Sequence, residues 1–327
     1  MSILITGGAG YIGSHTVRYL QEAGEKVIVV DNLQSGHREA IQTDAFYPVD
    51  LRDEMGLAAV FQENEIEGVI HFAANSLVGV SMKEPYEYYH NNVYGTLCLL
   101  KAMRDHAVSH IVFSSTAATY GEPERVPILE DDKTEPTNPY GETKLAMEKM
   151  MRWFKEAYGI SYTALRYFNA AGAHESGEIG EHHHPETHLI PLILQVPLGQ
   201  RPHISVFRDD YPTPDHTAVR DYIHVMDLAE AHYLALKNMQ KTKESHVFNL
   251  GNGSGFSVLE VIRAAREVTG HSIPAVMEER RAGDPAQLIA SADKARSVLG
   301  WEPKRPDIQT ILTDAWPWHS KHPRGYR

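Results

Sequence analysis

Short apolar, β-branched runs alternate with longer stretches of helical period through the first half of the chain. "ILIT" (3–6) opens a helix through "IGSHTVRYLQEAG", and "KVIVVD" follows. Next come "FYPVD", the helical "EMGLAAVFQEN", and "GVIHFAA". A long helix through "NNVYGTLCLLKAMRDH" leads to "HIVFSS", a helix after Pro139, and "SYTALRYF". Unbroken apolar runs separated by helices of roughly ten or more residues read as parallel strands covered on both faces. The pattern predicts an α/β fold, a doubly wound parallel sheet with binding crevices at the carboxyl ends of its strands.

The rhythm changes after Asn169, where loops lengthen and prolines and histidines cluster ("EHHHPETHLIP", "YPTPDHTAVRDYIHV"). The expectation is a first domain over 1–169 and a smaller C-terminal α/β substrate-binding domain over 170–327. "DLAEAHYLALKNM" and "HVFNLGNG" keep the earlier pattern, so segments near 220–250 are candidates to return to the first sheet.

Composition narrows the function. The net charge of −12 over 327 residues disfavours a nucleic-acid partner, whose backbone is held largely by Lys and Arg. Cys98 is the only cysteine, so an internal disulfide is impossible, and its place in "TLCLL" reads as a core thiol. "LIPLILQVPLG" is interrupted by Pro191 and Pro197 and falls short of the roughly 20 residues needed to span a bilayer. With no leader pattern before the first strand, the expectation is a cytoplasmic protein without a membrane partner.

"LITGGAGYIGSHT" places Gly7, Gly10 and Gly13 between the first strand and first helix. Glycine there lets the backbone approach a pyrophosphate resting on the helix N-terminus. Asp31 ends the second strand about 20 residues on, where a carboxylate accepts from both ribose hydroxyls and repels a 2′-phosphate. The combination predicts a Rossmann domain that binds NAD rather than NADP.

"NPYGETK" places Tyr140 and Lys144 at i and i+4, after a possible Asn138 cap and Pro139 at the first helical position. A phenol of pKa about 10 becomes a base near neutrality only with roughly 4 kcal/mol of help. A fixed ammonium and a cationic nicotinamide would both act in that direction. Thr116, in "FSSTAATYGE", can hydrogen-bond a substrate hydroxyl and share in proton transfer.

The GxxGxxG turn combined with Tyr140-x-x-x-Lys144 resembles the extended short-chain dehydrogenase/reductase family. The likeness implies that NAD contacts fall on Tyr11, Ile12, Asn32, Leu33, Asp50, Leu51, Phe72, Ala73, Ala74, Asn91 and Phe168, besides Gly7, Gly10, Gly13, Asp31, Thr116, Tyr140 and Lys144. "VDNL", "YYHNNVYGT", "LRYFNAAGAH", "DYPTPDHTAVRDYIHVMDLAEAH" and the tail "DAWPWHSKHPRGY" are more specific, and nearly end to end the chain is similar to the UDP-hexose 4-epimerase family. Related dehydratases and decarboxylases carry acids just after the Thr, whereas this chain has Ala117 and Ala118. What this implies is oxidation at C4, turnover of a transient 4-keto sugar, and reduction from the opposite face, interconverting UDP-glucose and UDP-galactose.

For the UDP-sugar the resemblance points to Thr116, Tyr140, Asn169, His188, Leu189, Val206, Phe207, Arg220, Arg281, Asp284 and Leu288, and it implies a homodimer. Four positions depart from the family pattern. Ser76 stands where lysine is usual, Arg208 and His216 replace glycines, and His188 replaces asparagine. Leu288 occupies a position that gates N-acetylated sugars. Two alternatives remain: the same chemistry on UDP-N-acetylhexosamines or UDP-pentoses, and a nucleotide-sensing protein without turnover. In "EHHHPETH" the loop histidines lack the helical spacing of a catalytic zinc site, so no metal is expected.

Overall fold

The computed structural model describes residues 1–279 and 285–326. Seven strands make one parallel sheet. Six are β1 (Ser2–Thr6), β2 (Val27–Val30), β3 (Phe46–Tyr47), β4 (Ile66–His71), β5 (His110–Ser114) and β6 (Ser161–Arg166). The seventh, His246–Asn249, lies beyond β6, and the order across the sheet continues β6, β5, β4, β1, β2, β3. Every pairing is parallel. The chain starts mid-sheet, winds outward to β3, then crosses to β4. The order therefore reverses between β1 and β4, and a crevice opens at that reversal.

Strand periodicity explains the two-sided burial. Ile3 and Ile5 join one apolar core with Val29, while Leu4 joins another with Ile28 and Val30. Helix α1 (Tyr11–Glu22) and the helix Val225–Thr242 cover the first face with Val17, Leu20, Leu228 and Leu236. The helices Glu54–Glu63, Gly95–Asp105 and Pro139–Tyr158 cover the second with Leu57, Leu99 and Met147. Cys98 is buried in this second core.

Beyond Asn169 a third core forms around the helices Leu189–Leu194, Val258–Thr269 and Ile308–Lys321. The apolar run at "LIPLIL" is explained here, since Ile190, Ile193 and Leu194 point into that core. The chain then returns to the sheet through Val225–Thr242 and His246–Asn249, the latter in register with Thr163–Arg166 of β6. Trp318 and Tyr326 reach back to residues 180–181. The Trp318 indole donates to Glu181 O at 3.2 Å, and the Tyr326 hydroxyl donates to Gly180 O at 3.2 Å. Among the described residues no helix is long and apolar enough to cross a membrane.

Candidate active site

A cavity of about 1480 Å³ opens at the β1/β4 reversal. Every position nominated above for the cofactor lines it, from Gly7 through Phe168. Of the three glycines only Gly7 adopts a left-handed backbone, at φ +74°. A Cβ there would lie 2.6 Å from Ala73 N. Gly13 is required by packing instead, because a Cβ on it would overlap the Gly7 carbonyl. The turn thus brings β1, the α1 N-terminus and the β4 loop as close as backbones can come. Such a cradle suits a pyrophosphate on the helix N-terminus.

Asp31 is buried at the end of β2. Its Oδ2 accepts from Ala9 N at 3.0 Å and its Oδ1 from Leu33 N at 2.8 Å. Burial pushes this carboxyl up, and those two N–H groups oppose the shift. Leu33 itself sits at φ +59°, a turn closed on the Asp31 side chain. Asp50 accepts from Asn32 Nδ2 at 2.7 Å and pairs with Arg52 at 2.6 Å, which holds its carboxyl well below the ordinary range. On the facing wall, Phe72 N and Ala73 N both donate to Thr6 O, fixing the loop after β4. Asn91 enters from a π-helix over Tyr89–Tyr94, whose buried Asn92 donates to Asn75 O at 3.0 Å and to Thr143 Oγ1 at 3.1 Å. Helix widening of this kind often marks functional positions. The residues present fit a dinucleotide: a glycine cradle, a buried carboxylate at the second strand, and small residues along the β4 wall.

Thr116, Tyr140 and Lys144, the residues expected to handle protons, line the same cavity. Asn138 Oδ1 caps the helix by accepting from Gly141 N at 2.9 Å, with Pro139 at its first position. Tyr140 and Lys144 therefore emerge one turn apart on the face toward Thr116. The Lys144 ammonium donates to Ser114 O at 2.9 Å, lies 4.8 Å from the Phe113 ring centre and 5.9 Å from that of Tyr140. Burial acts on both groups. Burial raises the Tyr140 phenol to about 12, against a lowering hydrogen bond with Thr116. Burial also lowers Lys144 to about 7, with Glu148 opposing. Within the chain, then, burial works against the phenolate and the Thr116 bond works for it.

Sequence reasoning missed Glu148, which continues the i, i+4 series from Tyr140 and Lys144. Its side chain accepts from Ser115 Oγ at 2.5 Å and pairs with Arg166 at 2.5 Å, with both partners of the ion pair buried. That pair ties the helix to β6 directly behind the site. The i+8 spacing in the sequence was the available signal.

A smaller cavity of about 270 Å³ continues from the first and is lined by Leu189, Val206 and Phe207. Asn169, His188 and Arg220 line both cavities, and Leu288 lines the larger. Arg281 and Asp284 lie outside the described residues. Ser76 lines the larger cavity. Arg208 and His216 hold φ of +68° and +65°, the left-handed region in which glycine is favoured.

The histidine-rich loop gathers its side chains in one place. Glu181, His183, Glu186 and His188 converge, with one potential ligand atom from each lying within 4.8 Å of the others. The loop folds back on itself here, with the Trp318 indole bonded to Glu181 O. Burial acts to lower both histidines, but the two carboxylates lift His183 to about 9 and His188 to about 10.

Comparison with known proteins agrees with this geometry. Residues 3–251 match the NAD dependent epimerase/dehydratase family. The chain is 62% identical over 326 residues to a UDP-glucose 4-epimerase of Halalkalibacterium halodurans, covering 100% of this chain and 98% of that one. It is 57% identical to one from Lacticaseibacillus casei, with coverage of 100% and 99%. A crystal structure of a UDP-glucose 4-epimerase superposes with a TM-score of 0.98 at 58% identity over the whole of both chains. Another, from Bifidobacterium longum in complex with NAD+ and UDP, gives 0.93 at 43% identity over the whole of both chains. With its glycine cradle, buried Asp31 and Thr116–Tyr140–Lys144 group in place, the chain belongs to the NAD dependent epimerase/dehydratase family, among its UDP-glucose 4-epimerases.

Proposed function

We propose that this chain is a NAD-dependent 4-epimerase that interconverts UDP-glucose and UDP-galactose. The observation that carries this reading is the placement of Thr116, Tyr140 and Lys144 in the lining of the cofactor cavity, with Ala117 and Ala118 beside them instead of acids. Alanines cannot move protons at C5 or C6, so neither elimination nor decarboxylation has an agent at that position.

NAD would be held by the glycine cradle, Asp31, Asn32 and the Phe72–Ala74 wall, and when bound it supplies a hydride acceptor that later returns the hydride. Its cationic nicotinamide also favours the phenolate that burial opposes. Tyr140 takes the C4 hydroxyl proton and later gives it back, and Thr116 bridges the hydroxyl to the phenol. Lys144 orients the site through Ser114 O. The smaller cavity is the place for the uridine diphosphate, with Arg220, His188 and Asn169 at the junction, and Arg281 and Asp284 are proposed to complete it. Fixing the diphosphate while leaving the hexose loosely held allows both faces of the 4-keto sugar to be presented.

The division at 169/170 is proposed as cofactor half and substrate half, with Val225–Asn249 serving the first. A homodimer fits the outer face of the helices Gly95–Asp105 and Pro139–Tyr158, where Leu97, Trp153 and Tyr158 are exposed beside Tyr94. A cytoplasmic location fits the same reading. The test is incubation of purified protein with UDP-galactose, UDP-N-acetylgalactosamine and UDP-arabinose without added NAD, and chromatography of the products. Conversion of UDP-galactose is expected. Conversion of only the other two would move the assignment to their sugars, and no conversion would leave a nucleotide sensor.

A further inference from the structure

A four-residue cluster beside the two cavities, with Glu181 and His188 lining both and His183 lining the larger, has a use beyond the reaction above. Glu181 is a buried carboxylate, its side chain 3% exposed, and it faces two imidazoles. His188 Nδ1 lies 3.0 Å from an oxygen of Glu181 and 3.0 Å from one of Glu186. His183 Nδ1 lies 3.4 Å from Glu181 and 3.5 Å from Glu186. A tetrahedron with arms of about 2.0–2.1 Å, as zinc makes with imidazole nitrogen and carboxylate oxygen, has edges of roughly 3.3 Å. The four imidazole–carboxylate separations bracket that value, with both imidazoles nearest the same oxygen of Glu181 but different oxygens of Glu186, and one ligand atom from each residue lies within 4.8 Å of the others. His183 Nδ1 is moreover shut off from solvent without a hydrogen bond of adequate geometry.

The setting is rigid on one side and functional on the other. Trp318, 1% exposed, and Tyr326 pin residues 180–181 through the bonds described above. Glu181 and His188 line both cavities, and the His183 ring meets Tyr11 edge-on, with centroids 6.2 Å apart. Four donors of mixed nitrogen and oxygen, with no thiolate, suit a borderline divalent cation more than calcium or magnesium.

We infer that Glu181, His183, Glu186 and His188 form a binding site for one divalent transition cation, zinc first, which clasps the 181–188 loop between the two cavities. The ion is structural: it closes the loop carrying His188 and Leu189 without touching the sugar carbon that reacts.

The test uses the purified, NAD-loaded protein, stripped with a chelator and then freed of it. Zinc(II) or cobalt(II) is added, unbound metal is removed by gel filtration, and metal per chain is measured by plasma mass spectrometry. One equivalent per chain is expected, together with the visible absorption of four-coordinate cobalt and a raised thermal midpoint. The double variant His183→Ala/Glu186→Gln should retain none, while His271→Ala, an exposed histidine elsewhere, should retain the full equivalent. X-ray absorption on the zinc-loaded native chain needs no variant and should show two imidazole ligands. Failure to retain metal, an absorption spectrum without histidine ligation, or equal retention in the double variant overturns the proposal and leaves an ion-pair network of two imidazolium and two carboxylate groups.

Discussion

At Tyr140 two opposing effects are set against each other. Desolvation raises its pKa to about 12, and the hydrogen bond with Thr116 recovers only part of that. On the proposed function, the cationic nicotinamide would oppose that rise. Tyr140→Phe should lower turnover by about 10²–10⁴-fold, the usual worth of a positioned acid–base group. UDP affinity measured by calorimetry should stay unchanged, because the phenol lies away from the smaller cavity; wild-type turnover in that variant would remove Tyr140 from the mechanism. His216 poses a separate question. An L-residue in the left-handed region costs roughly 1–2 kcal/mol, and glycine returns about 0.5–1 kcal/mol of that as unfolded-state entropy. His216 is exposed, and the bonds from Tyr211 N to its carbonyl and from its N–H to Thr213 O are backbone only. His216→Gly should therefore stabilise the chain by about 0.5–1 kcal/mol in urea titrations, and destabilisation would show that its side chain is needed.

Helix Pro139–Tyr158 does more than present two residues. Its next inward position, Glu148, bonds Ser115 at the end of the β5 segment and Arg166 on β6, so the element that carries the base is locked to the sheet behind it. Leaving a buried charge without its partner is expensive. Glu148→Leu should cost about 3–5 kcal/mol of folding stability, read as a shift in the denaturation midpoint. A loss below 1 kcal/mol would mean that Arg166 finds another partner. Elements of this sort were legible in the sequence where their signals are local: the cap at Asn138, the i, i+4 pair and the glycine turn all act within one or two helical turns. The π-helix over Tyr89–Tyr94 was not, because it is held by Asn92 reaching Asn75 and Thr143, far away in the chain. The convergence of Glu181, His183, Glu186 and His188 was hidden for the same reason. The loop that carries them is bonded at Glu181 O by Trp318, an indole 137 residues away.

Across the whole molecule, the division of labour follows from topology. The strand order reverses between β1 and β4, so the cavity that opens there faces the third core, which supplies the second cavity. On the proposed function, cofactor and nucleotide take adjoining cavities, with Asn169, His188 and Arg220 lining both. The alternation of strands and helices made the first sheet readable from the sequence, and the return of His246–Asn249 to its edge was visible as a strand pattern. The central claim is that hydrogen leaves and rejoins the same sugar carbon without passing through water. It is tested most directly by supplying UDP-galactose deuterated at C4 in ordinary water and analysing the UDP-glucose formed by NMR and mass spectrometry. Deuterium should be retained at C4 of the product; loss of the label to solvent would contradict that claim.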